Sequence, residues 1–158
     1  MTIQEGDRIP DITIKTNGPE GPEDISTGAL FDRRRVVLFA VPGAFTPGCS
    51  NTHMPGFVIK ADEILARGVD AIVCMAVNDA FVMDAWQKNQ NAESITMLAD
   101  GSGKLTEALG LTLDLTDGHM GKRSKRFAMI INDGVVTYLG IDDKGVALSS
   151  AGTILDKL

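Results

Sequence analysis

Two apolar runs of strand length stand out along the chain, Val36-Val37-Leu38-Phe39-Ala40-Val41 and Ala71-Ile72-Val73-Cys74-Met75-Ala76-Val77. Both are continuously apolar rather than alternating, a pattern that suits strands buried on both faces of a parallel sheet. Between them the period changes. Met54, Phe57, Val58, Ala61, Ile64 and Leu65 recur at helical spacing, and Gly68 stands where such a helix would end. Pro55 lies inside this span and predicts a kink or a restart. After the second run, Asn78-Asp79 offers a cap for a helix carrying Phe81, Ala85 and Trp86. Strand, helix, strand, helix in that order requires parallel strands and right-handed crossovers.

The two ends of the chain read differently. The segment before Arg33-Arg34-Arg35 is punctuated by Gly and Pro, with one alternating stretch at Ile12-Thr13-Ile14. It predicts an N-terminal extension laid on the sheet. Toward the C-terminus, Phe127–Asn132 and Val135–Gly140 flank Asp133-Gly134, a two-residue hairpin signal, and a short helix is predicted from Ala151 to Leu158. The layout is that of an α/β thioredoxin-like fold. It has a central mixed β-sheet with flanking helices, an N-terminal extension, and a C-terminal β-hairpin plus helix. One such domain is expected over residues 1–158.

Composition narrows the function classes. A chain of 158 residues with 44% apolar and 23% charged residues can bury a core without staples. A net charge of −6 gives no reason to expect a nucleic acid or an anionic membrane as partner. No apolar run approaches the ~18 residues of a membrane span. Met1–Asp7 lacks the cationic and apolar regions of a secretory signal, so a cytoplasmic protein is expected. Two cysteines are no disulfide framework, which fits a reducing compartment.

The chemistry concentrates where the first strand gives way to the helix. Cys49 follows a Thr46-Pro47-Gly48 turn at the expected helix start. Backbone N–H donors and the positive end of the helix dipole there favour a thiolate, which is the nucleophilic form of the residue. Thioredoxins proper reduce disulfides with a C-x-x-C pair, but the third residue after Cys49 is Thr52. All six prolines lie at or before Pro55, so the proline that thioredoxins place before their C-terminal hairpin is missing, and Lys125-Arg126 stands there. The scaffold fits; the dithiol mechanism does not.

The stretch Pro42-x-x-x-Thr46-x-x-Cys49 matches the peroxiredoxin active-site motif. The longer string Val-Pro-Gly-Ala-Phe-Thr-Pro-Gly-Cys-Ser-x-Thr-His-x-Pro-Gly-Phe, from Val41 to Phe57, resembles the peroxiredoxin 5 (type II) subfamily. Val77–Val82, Leu98-Ala99-Asp100 and Lys125-Arg126-Phe127 extend the resemblance along nearly the whole chain. It implies that Cys49 is the peroxidatic nucleophile, with Pro42 and Thr46 around it and Arg126 as the distal cation. It also implies a homodimer packed through the active-site face, a hydroperoxide substrate, and no metal, flavin or haem. His119, His53 and the scattered cysteines have no metal-ligand spacing.

Cys74 sits mid-strand, where a cysteine is usually a small buried hydrophobe, the alternative being a resolving thiol. In two-cysteine members of the subfamily the resolving cysteine follows the hairpin. Gly145-Val146-Ala147-Leu148-Ser149-Ser150 carries serine there, so the chain resembles a one-cysteine version. An oxidised Cys49 would then need an outside thiol, from glutathione with a glutaredoxin or from a thioredoxin.

Other residues keep two readings. His53, four residues after Cys49, is either a structural or pocket-lining hydrogen-bond partner or a base beside the thiol. The run Lys122-Arg123-Ser124-Lys125-Arg126 is either a solvated basic loop or an attractor for an anionic reductant, and Arg33-Arg34-Arg35 is most simply a solvated loop. Phe45, Phe81 and Trp86 are candidate core, and Phe45 is also a candidate for a dimer contact or an organic-group pocket. Taken together, the residues predict a thiol-dependent peroxidase. The alternative is a non-enzymatic redox sensor or binding module on the same fold.

Overall fold

The computed structural model describes residues 2–158. Each of the two apolar runs becomes a central strand. Strands β3 (Arg35–Ala40) and β4 (Ala71–Ala76) pair in parallel, and β4 pairs in parallel with β5 (Thr96–Ala99). On the other side β3 pairs antiparallel with β8 (Arg126–Asn132), which pairs antiparallel with β9 (Val135–Asp142). The N-terminal segment forms its own hairpin, β1 (Thr13–Gly18) and β2 (Gly21–Ser26), docked antiparallel on β5. The result is a mixed seven-stranded sheet in the order β2-β1-β5-β4-β3-β8-β9. The expected extension is therefore part of the sheet.

Both faces of this sheet are covered, which is why the central strands read as continuous apolar runs. On one face, Val37, Phe39, Cys74 and Ile130 pack under Phe57 and Ile64 of α2 (Met54–Ala66), Met83 and Trp86 of α3 (Ala80–Asn89), and Ile154 of α5 (Ala151–Lys157). On the other, Val36, Leu38, Met75 and Met129 pack under Phe31 of α1 (Thr27–Phe31) and Leu105 and Leu109 of α4 (Lys104–Leu109). Asp79 caps α3 by accepting the Val82 N–H at 2.8 Å, as predicted. The β8–β9 turn has φ of 49° at Asp133 and 77° at Gly134, the two left-handed residues of a type I′ hairpin.

Three expectations are revised. The basic run is not a loop. Lys122, Arg123 and Ser124 lie in β7 (Gly121–Ser124), paired antiparallel with β6 (Thr112–Leu115), and Arg126 opens β8. Arg35 likewise opens β3, its Nη1 donating to the Arg67 carbonyl at 3.0 Å. Of the three aromatic residues assigned to the core, only Trp86 is buried; Phe45 and Phe81 are 51% and 74% exposed.

The predicted restart at Pro55 takes a specific form. Pro55 has no N–H to donate four residues back, so the helical ladder breaks there. The chain meets the break with one π-helical turn, Cys49–His53, closed by the Met54 N–H on the Cys49 carbonyl. The α2 helix then runs on from Met54, with Pro55 in its first turn.

Candidate active site

The segment Val41–Gly48 carries the chain from β3 into the helix, and its backbone is pinned at its start and near its middle. Val41 N–H donates to Met75 O at 3.1 Å, and Ala44 N–H donates to Asn78 Oδ1 at 2.9 Å. Phe45 adopts φ of 66°, a left-handed conformation unusual for a bulky side chain and held here by the surrounding bonds. Ser50 N–H then closes onto Thr46 O at 2.9 Å. Trp86 reaches in from α3, its Nε1–H donating to Ser50 Oγ at 2.9 Å.

Cys49 is fully buried in the first turn of this helix. Its sulfur meets Thr46 Oγ1 at 2.9 Å and Arg126 Nη2 at 3.3 Å. The expected backbone donors do not reach it: among the described residues, the hydrogen bonds to Sγ come from these two side chains. The Ser50 N–H is spent on Thr46 O. Thr46 Oγ1 also lies 2.6 Å from Gly43 O. A hydroxyl has one proton, so when it donates to Gly43 O its lone pairs face the sulfur.

Arg126 reaches Cys49 because β8 lies beside β3 in the sheet. A Cβ at Gly48 would stand 3.0 Å from Arg126 Nη2, so a residue without a side chain lets the guanidinium approach. Among the described residues, the ion pairs are Lys15–Asp24 and Lys88–Asp84, and Arg126 takes part in neither. Its second nitrogen, Nη1, donates to His53 Nδ1 at 2.8 Å.

That bond decides between the two readings of His53. With Nδ1 accepting from a guanidinium, the ring proton must sit on Nε2, where it donates to Ser149 O at 2.8 Å. His53 is 1% exposed and tilts against Phe39 and Phe57. Burial pushes its pKa down to about 4; the Ser149 bond opposes this and the Arg126 charge adds to it. His53 is therefore a neutral hydrogen-bond bridge, with no lone pair free for Cys49.

Pro42, Arg126 and Lys125 share the lining of a cavity of about 210 Å³ with Leu113, Asp142 and Asp143. Pro42 is half-buried and its carbonyl lies 3.5 Å from Arg123 Nη1. Cys74 is fully buried in β4, where burial and then the nearby Cys49 push its thiol up well above the usual range. Both cysteines are free. Sequence reasoning brought Cys49, Thr46, Arg126 and Pro42 to this place. It missed Asn78 as a loop anchor, the Trp86–Ser50 bond, and Ser149, because none of these follows a periodic or motif pattern.

Residues 4–155 match the redoxin family. The chain is 46% identical over 156 residues to chloroplastic peroxiredoxin-2E-2 of Oryza sativa subsp. japonica, covering 95% of this chain and 69% of that protein. It is 45% identical to peroxiredoxin-2B of Arabidopsis thaliana, covering 99% of this chain and 98% of that one. The crystal structure of reduced Prx3 from Vibrio vulnificus in complex with hydrogen peroxide superposes with a TM-score of 0.96 at 48% identity, over 99% of both chains. The fold, the extended motif and the relatedness along almost the full length agree, and the chain belongs to the redoxin family, among the type II peroxiredoxins.

Proposed function

We propose that this protein is a thiol-dependent peroxidase reducing hydrogen peroxide and small alkyl hydroperoxides, with Cys49 as the nucleophile. The observation that carries the reading is the convergence of Thr46 Oγ1 and Arg126 Nη2 on one sulfur. The Cys49 thiolate attacks one peroxide oxygen, an S–O bond forms, and the O–O bond breaks. Sulfur is oxidised to the sulfenic acid, and the departing hydroxide or alkoxide takes a proton to leave as water or alcohol.

Each neighbour has a task in that step. Arg126 carries a fixed charge and aims one donor, Nη2, at the sulfur, which stabilises the anionic nucleophile and then the charge developing on oxygen. Thr46, with its proton on Gly43 O, can accept the O–H of an incoming peroxide and hold its O–O bond in line with the sulfur. Pro42 forms a rigid wall of the cavity beside Arg126. A redox sensor needs an oxidisable thiol but not this peroxide-shaped set of donors and acceptors.

Regeneration is assigned to an outside thiol, which condenses with the sulfenic acid to a mixed disulfide and water before a second thiol releases the reduced enzyme. The burial of Cys74 and the serines at 149 and 150 support this one-cysteine cycle. Glutathione with a glutaredoxin, or a thioredoxin, would supply the thiol in a reducing compartment such as the cytoplasm. No helix of the described residues is long and apolar enough to cross a membrane. The exposed Phe45, Phe81 and Leu148, all on segments that bond around the site, support a homodimer packed through that face. The test is peroxide consumption with each purified reductant system. Turnover should be fast with one of them and vanish in Cys49→Ser; turnover that survives this substitution sinks the proposal.

A further inference from the structure

Arg126 and Asp142 are direct partners across the β8–β9 ladder. Both line the same cavity, yet among the described residues they form no ion pair. A carboxylate so close to an unpaired guanidinium is a natural competitor for it. Here the carboxylate is already saturated. Asp142 Oδ2 accepts from Ala147 N at 3.0 Å, Ser149 N at 2.8 Å and Ser149 Oγ at 2.7 Å, and Oδ1 accepts from Leu148 N at 3.1 Å.

Those four bonds fold the segment after β9 back over the strand as a tight cap. Tyr138 Oη donates to Leu148 O at 2.8 Å and Thr153 Oγ1 donates to Ala147 O at 2.6 Å, so the cap is also fastened from outside. A Cβ at Gly140 would stand 2.3 Å from Leu148 O, so only glycine lets the segment lie this close. The cap presents the Ser149 carbonyl to His53 Nε2, and His53 presents Nδ1 to Arg126 Nη1. From Asp142 to Cys49 Sγ the contacts are continuous.

We propose that Asp142 is a positioning residue for the peroxide-reducing step: by fixing the Ala147–Ser149 turn it fixes Ser149 O and His53, and through them holds Arg126 on the sulfur. Its saturation by the turn also keeps its own charge from drawing Arg126 away. This rests on the reading of Cys49 as the peroxide-reducing nucleophile.

The experiment is a double-mutant cycle on the full chain, reading the second-order rate of peroxide reduction and the unfolding midpoint for each variant. Asp142→Asn keeps the shape but loses the all-acceptor carboxylate, and its rate should fall about 10- to 100-fold, the range expected for a small misplacement of a reacting-site group. Asp142→Glu should recover most of the rate. His53→Phe keeps the aromatic packing and removes both bridging bonds, so its rate should fall at least as far. The double variant should be no slower than His53→Phe alone, because Asp142 acts through His53. General loosening of the fold would instead slow both backgrounds equally. Multiplying effects, or a wild-type rate in Asp142→Asn, would overturn the proposal. A wild-type protein that leaves peroxide untouched would overturn the reading of Cys49 instead, before any variant is compared.

Discussion

The indole Nε1–H of Trp86 donates to Ser50 Oγ at 2.9 Å, which ties the chain's one tryptophan to the residue beside Cys49. The bond crosses from α3 to the π-helical turn and fixes that turn against α3. A change in the turn on oxidation of Cys49 would reach the indole through this bond.

Intrinsic fluorescence should therefore change when peroxide is added to the reduced protein, with the kinetics of sulfenic acid formation. The signal should be absent in Cys49→Ser. Trp86 is fully buried, so Trp86→Phe leaves both a void and an unpaired hydroxyl, and should lower unfolding free energy by about 2 kcal/mol in urea titrations.

Thr46→Val preserves volume and removes the hydroxyl that faces both Gly43 O and Cys49 Sγ. Arg126→Ala removes the donor at the sulfur. Each should slow peroxide reduction roughly 100-fold or more, the usual loss for one preorganised hydrogen-bonding group. Rapid-mixing kinetics read this directly, and a near-wild-type rate in either variant removes that residue from the step.

Acid stability should depend on His53. Its pKa is about 4 in the folded protein against 6.5 for the ordinary group, so the unfolded chain binds the proton more readily. The stabilisation from the neutral ring is complete above pH 6.5 and is lost as pH falls from there toward about 4. The drop amounts to about 3 kcal/mol at most, taking ~1.4 kcal/mol for each pH unit. Urea midpoints measured across this window should slope downward with acid in the wild type and flatten in His53→Phe.

Cys74→Ser places a hydroxyl in a fully apolar strand, which should cost about 1–3 kcal/mol of stability. Turnover with an external thiol should persist. Lost turnover in a folded variant would make Cys74 part of the redox cycle.

Phe45, in the turn before Cys49, and Phe81, in the first turn of α3, are each exposed. A charged substitution, Phe45→Asp, should shift the protein from dimer to monomer in sedimentation velocity. A wild type that sediments as a monomer at micromolar concentration would contradict the dimer.

How much of the fold was readable follows from how each element earns its burial. The β3 and β4 runs are apolar on both faces because helices cover both faces, so they were plain in the sequence. Asp133-Gly134 announced its hairpin through two residues that tolerate positive φ. By contrast, β5 has four residues and no period, and it is a strand because β4 offers it an edge. The β6–β7 pair was hidden in a basic stretch, since its strands are half-exposed and owe their conformation to one another. Phe45 and Phe81 are exposed although a core reading was open for both, because an aromatic residue has the same apolar composition whether it lies inside or at the surface.

A thiol on a turn at a helix start and the scaffold type are legible along the chain, because motif spacing and hydrophobic period are local properties, and it is the family resemblance that names Pro42, Thr46 and Arg126 as its surroundings. Which donors reach that sulfur depends on how distant segments pack together. Arg126 is separated from Cys49 by 77 positions and meets it through the pairing of β3 with β8. His53 became a neutral bridge, and not a base, because Arg126 and Ser149 O claim its two nitrogens from opposite sides. Those contacts are long-range hydrogen bonds, and no local pattern of residues encodes them.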